Sequence, residues 1–77
     1  TYYLIYSNGI GGSYCTNLQF SSLGEAQKHL QKFKKAFEMD CDDAGFLDCI
    51  RVESDTPTHY EATDGEDWID IRILKEL

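Results

Sequence analysis

The sequence predicts an α+β domain: an antiparallel sheet of four to five strands with one helix packed on one face, in the order ββαβββ. Three observations carry this expectation. Period-two alternation recurs in several short segments. One capped segment of helical period stands between them. Asn8-Gly9 and Asp64-Gly65 separate alternating segments, and both pairs tolerate the positive φ that tight hairpins require. The chain has 77 residues, so a single domain over residues 1–77 is expected, with a small core.

The elements follow in order. TYYLIYS is rich in aromatic and β-branched residues and reads as a strand. Asn8-Gly9 then opens a turn, which Gly11-Gly12 extends beyond two residues. In SYCTNLQF, Tyr14, Thr16, Leu18 and Phe20 alternate with Cys15, Asn17 and Gln19, and the apolar set is expected to face the core. Ser22 and Glu25 form an S-x-x-E capping box. Leu23, Ala26, Leu30, Phe33 and Phe37 follow as one apolar stripe, with Lys28, Lys32 and Lys35 on another face. The helix is expected from about Leu23 to about Met39. LDCIRVES reads as a third strand, ended by Pro57. HYEAT and DWIDIRIL read as a hairpin around Asp64-Gly65, with Ile69, Ile71 and Ile73 on one face and Asp70 and Arg72 on the other.

Charge is the most informative property. The net value is −7, and it is segregated. Residues 1–24 carry no charged side chain. Residues 25–38 carry a local +2, residues 39–70 a local −10 with Arg51 as their one base, and residues 71–77 a local +1. Such a field attracts basic surfaces and repels nucleic acid and anionic membranes. No run of apolar residues is long enough to span a bilayer. No basic segment followed by an apolar run opens the sequence, so a cytoplasmic location is expected. Three cysteines, Cys15, Cys41 and Cys49, make an odd set without C-x-x-C spacing, which fits free thiols in a reducing compartment.

EMDCDDAGFLD raises the question of a calcium loop. Counted from Asp40, it offers Asp42 at position 3, Gly45 at position 6 and Asp48 at position 9. Position 5 is Ala44, and position 12 is Arg51 where a bidentate glutamate is needed. The segment therefore reads as an acidic turn, with no metal and no cofactor. His29 and His59 stand at no zinc-ligand spacing from a cysteine. Gly9, Gly11 and Gly12 precede neither a lysine nor a helix, so they form no phosphate loop. No catalytic constellation emerges, and a non-enzymatic role is expected.

Concentrated acid costs stability through self-repulsion, and a compensating use is contact with lysines and arginines that otherwise grip phosphates. The candidate partner-binding residues are Asp40, Asp42, Asp43, Asp48, Glu53, Asp55, Glu61, Asp64, Glu66, Asp67 and Asp70. A secondary candidate surface is the Gly-rich N-terminal hairpin with Tyr2, Tyr6, Asn8 and Tyr14, since Tyr, Ser, Gly and Asn are the mixture that binding loops favour.

Through the acids of DCDDAGFLD and EATDGEDWID, the chain resembles in size, charge and α+β pattern the small phage-encoded anti-CRISPR and anti-restriction proteins. Those families share no common motif, so no residue role carries over. The resemblance implies an inhibitor, a possible DNA mimic, whose acids occupy the nucleic-acid channel of a defence effector in the cytoplasm of a bacterial host. The expected partner is a basic protein, with no direct nucleic acid and no membrane. Two alternatives remain open: an immunity protein or antitoxin that neutralises a basic nuclease, and an adaptor that binds through the tyrosine hairpin.

Overall fold

The computed structural model describes residues 1–9 and 14–76, with the side chains of Tyr14 and Leu47 excepted. Strands β1 (Tyr2–Asn8) and β2 (Tyr14–Phe20) precede the helix α1 (Leu23–Asp43). A short 3-10 turn (Leu47–Cys49) leads into β3 (Arg51–Thr56), β4 (His59–Thr63) and β5 (Trp68–Lys75). All five strands form one antiparallel sheet in the order β2-β1-β5-β4-β3. The expected α+β class and ββαβββ order are observed. The Gly11-Gly12 loop expectation lies outside the described residues.

Alternation along the strands sorts the sheet into two faces. Leu4, Ile69, Ile71, Ile73, Tyr60 and Ala62 are buried and meet Ala26, Leu30, Phe37 and Cys41 of α1. Opposite them, on the face without the helix, stand Tyr3, Ile5 and Ser7 of β1, Asp70, Arg72 and Leu74 of β5, and His59, Glu61 and Thr63 of β4. Apolar burial against one helix is the main stabilising term for a sheet of this size.

The helix begins as its sequence dictates. Ser22 adopts an extended N-cap conformation, and its Oγ accepts the Glu25 N–H at 3.2 Å. Within the apolar stripe Ala26, Leu30 and Phe37 are buried, Phe33 is partly buried and Leu23 is exposed, and Cys41 extends it by one turn. The C-terminus departs from expectation. The helix runs to Asp43 rather than Met39, so Asp40, Asp42 and Asp43 are helical and not part of a turn. Gly45 is the reason, with φ +80. Its N–H donates to Asp42 O at 3.0 Å, and the Phe46 N–H donates to Cys41 O at 2.7 Å. This is a Schellman stop, which requires a left-handed residue just past the helix end. The third strand likewise starts at Arg51 and not at Leu47, because Leu47–Cys49 close a 3-10 turn first.

The two sheet edges differ. Edge strand β3 carries Arg51, Glu53 and Asp55, is bulged between Val52 and Ser54, and is followed by Pro57. These are devices that protect an edge from further pairing. Edge strand β2 carries no charged residue.

Candidate protein-binding surface at the acidic end

The fold separates the eleven candidate acids into two groups. Four lie on the sheet: Glu53, Asp55 and Asp70 are held by Arg or Lys, and Glu61 faces His59. Lys34 Nζ donates to both carboxylate oxygens of Asp55, at 3.2 and 3.1 Å. Arg51 Nε donates to Glu53 at 3.0 Å. Arg72 donates to Asp70 through Nε at 3.1 Å and Nη2 at 3.1 Å. His59 Nε2 stands 3.1 Å from Asp70 Oδ1 and 3.8 Å from Glu61 Oε1.

The other seven form no salt bridge with any described residue: Asp40, Asp42, Asp43, Asp48, Asp64, Glu66 and Asp67. They gather at one end of the molecule. Asp40, Asp42 and Asp43 occupy the last turn of α1, and Asp48 sits in the 3-10 turn packed on it. Asp64, Glu66 and Asp67 form the β4–β5 turn, which leans against the same helix end. Cys41 Sγ lies 3.7 Å from Asp64 Oδ2, and one cleft is lined by Phe37, Asp40, Cys41, Ala44, Asp64 and Asp67.

The β4–β5 turn is rigidly built. Asp64 Oδ1 accepts the N–H groups of Glu66 at 3.0 Å and Asp67 at 2.7 Å, and Gly65 takes φ +102. Thr63 Oγ1 closes the base by donating to Asp67 O at 2.7 Å. The two backbone N–H groups hold the Asp64 carboxyl below its usual range. Burial, with the nearby carboxylates of Asp64, Asp67 and Asp40, pushes the Cys41 thiol up to about 11. This end therefore carries a fixed negative field and an inert thiol.

The last turn of α1 contains no basic residue. Carbonyl dipoles already make a helix C-terminus negative, so aspartates there are unfavourable by a few tenths to about 1 kcal/mol each. Three apolar side chains are exposed at this end: Met39 next to Asp42, Phe46 after the stop, and Trp68 next to Asp67. Sequence reasoning left all three out. Trp68 alternated with the buried isoleucines, and that phase was its one signal.

The secondary candidates are placed differently from a binding loop. Tyr2 and Tyr6 are half-buried against the core, and the Tyr6 ring lies 4.5 Å from that of Phe33. Asn8 is buried, and its Nδ2 donates to Tyr6 Oη at 2.7 Å. These residues brace β1 against α1. The Tyr14 side chain lies outside the described residues.

The His59–Glu61–Asp70 group also escaped the sequence reading, because it assembles across two strands. Another cleft, between α1 and β3, is lined by Gln27, Gln31, Asp55, Thr56 and Pro57. Its one carboxylate is already engaged by Lys34. No helix among the described residues is long and apolar enough to cross a membrane.

Comparison with protein-family models, curated proteins and solved structures finds no match for the chain.

Proposed function

We propose that the protein is a non-enzymatic inhibitor that covers a basic, nucleic-acid-binding surface of a defence effector or nuclease with its acidic end. One observation carries the reading: seven carboxylates with no salt-bridge partner among the described residues gather where α1 ends against the β4–β5 turn, three of them against the helix dipole. A sequence that needed acid only for solubility had no reason to place it there. Local rules are broken most often where function repays the cost. The carboxylates supply attraction and orientation, while exposed Trp68, Phe46 and Met39 supply apolar contact of the kind that anchors interfaces. An immunity protein acting on a basic nuclease is the same chemistry with a different partner. For the adaptor reading, Tyr2 and Tyr6 pack partly against the core and Asn8 is buried, which leaves less of these side chains for a partner.

The test is a paired capture. Wild-type protein and an Asp42→Lys/Asp43→Lys/Asp67→Lys variant are immobilised, exposed to nuclease-treated bacterial lysate and eluted with a salt gradient into mass spectrometry. The expected result is a nucleic-acid-binding protein retained by the wild type, released at raised salt and absent from the variant. Equal retention by both proteins contradicts the proposal.

A further inference from the structure

The face of the sheet without the helix holds a group of donors that the acidic end does not use. His59 and Glu61 are two residues apart on β4 and point the same way, and Asp70 stands directly opposite Glu61 on β5. Their ligand-capable atoms all lie within 4.8 Å of one another. His59 Nε2 is 3.1 Å from Asp70 Oδ1 and 3.8 Å from Glu61 Oε1. All three side chains are part-buried, at 27%, 43% and 19% exposure for His59, Glu61 and Asp70.

From these donors we infer a divalent zinc site formed by His59 Nε2, Glu61 and Asp70. The spacing fits coordination. Zinc holds nitrogen and oxygen donors at about 2.0–2.2 Å, which sets tetrahedral ligands roughly 3.3–3.6 Å apart. The two separations from His59 Nε2 bracket that value and the third lies within 4.8 Å, so side-chain rotations close the set. The donor types fit as well: one imidazole with two carboxylates is a borderline set that suits zinc over calcium or magnesium. The register gives an independent reason to expect a cation. Glu61 and Asp70 are directly opposed like charges, an arrangement strand pairs disfavour. Arg72 is bonded to Asp70 and also feels the Glu61 charge from further away, whereas among the described residues the close contact of Glu61 is with His59 Nε2. A dication between the two carboxylates compensates both. Arg72 fixes the Asp70 carboxylate by donating from Nε to Oδ1 and from Nη2 to Oδ2, and His59 Nε2 meets the same Oδ1, so metal binding at Oδ1 replaces the His59 contact there. Three protein donors leave the fourth position to water.

The experiment uses the full chain with Cys15→Ser and Cys49→Ser, because these two exposed thiols are competing ligands. Zinc sulfate is titrated while the thermal midpoint and the ring-nitrogen resonances of 15N-labelled histidine are followed, with magnesium sulfate as control. The expected result is a rise in midpoint with zinc alone, together with a shift of the His59 resonance. Both effects are lost in His59→Gln and weakened at least tenfold in Glu61→Gln, whose part-buried side chain lies on the face away from the core. His29→Gln leaves them intact. No response to zinc, or an undiminished response in His59→Gln, overturns the inference.

Discussion

Cys41 Sγ and Asp64 Oδ2 lie 3.7 Å apart and join the end of α1 to the β4–β5 turn. This contact brings together two acidic segments that are more than twenty residues apart in sequence. Burial, and then the Asp64 carboxylate, oppose the thiolate and push the Cys41 thiol up.

Asp43→Lys should stabilise the fold. It removes a carboxylate from the negative end of the helix dipole, replaces it with a cation and relieves repulsion within the acidic end. The expected gain is about 0.5–1.5 kcal/mol in chemical denaturation, for an effect of each sign. The same substitution should weaken partner binding. A variant that is both more stable and less able to bind separates function from folding.

Asp64→Ala should cost about 1–3 kcal/mol, because two turn N–H groups lose a charged acceptor. Asp64→Asn keeps an oxygen acceptor and should cost less. The pH dependence has a defined sign. The Asp64 carboxyl titrates below its usual range in the fold, so ionised Asp64 stabilises the native state above the unfolded value of about 4. That contribution disappears as pH falls through the folded value. Urea melts of wild type and Asp64→Asn across this acidic range should therefore converge at the lowest pH.

The three thiols should react in two classes. Cys15 and Cys49 are exposed, whereas Cys41 is buried and its pKa stands near 11. Titration with a disulfide reagent at neutral pH should label two thiols quickly in the native protein. The third should follow only after denaturant is added.

Gly9→Ala should be felt by the sole tryptophan. The Trp68 indole lies where a Cβ on Gly9 would sit, and the Gly9 N–H donates to Trp68 O at 3.0 Å. The added methyl must displace the ring, at a cost of about 1–3 kcal/mol. A shift in tryptophan emission should report the displacement.

The fold was legible where local chemistry and packing agree. Ser22 with Glu25 marked the helix start, and Ile69, Ile71 and Ile73 marked a half-buried strand facing it. The helix ends at Asp43 and not at the expected Met39, although Asp40, Asp42 and Asp43 oppose the dipole at its C-terminus. Gly45 carried the true stop signal, but its place in a possible calcium loop drew the reading away from a C-terminal cap. The acids could be listed from the sequence, but their division could not. Whether a carboxylate meets Lys34 or Arg72, or stands without a salt bridge beside Cys41, depends on register and on the path of the helix across the sheet. The His59–Glu61–Asp70 group was invisible for the same reason, since cross-strand neighbours have no fixed sequence spacing.

The central claim is that the acidic end and nucleic acid compete for one basic surface. The most direct measurement is a competition experiment on the captured partner. The labelled protein is bound at fixed concentration, and the nucleic acid that partner normally binds is titrated in, with the Asp42→Lys/Asp43→Lys/Asp67→Lys variant in parallel. Mutual exclusion is predicted: wild-type protein is fully displaced, the midpoint rises in proportion to its concentration, and the variant binds at least about tenfold more weakly. A stable ternary complex of partner, nucleic acid and wild-type protein, or a variant that binds as tightly, would contradict the account.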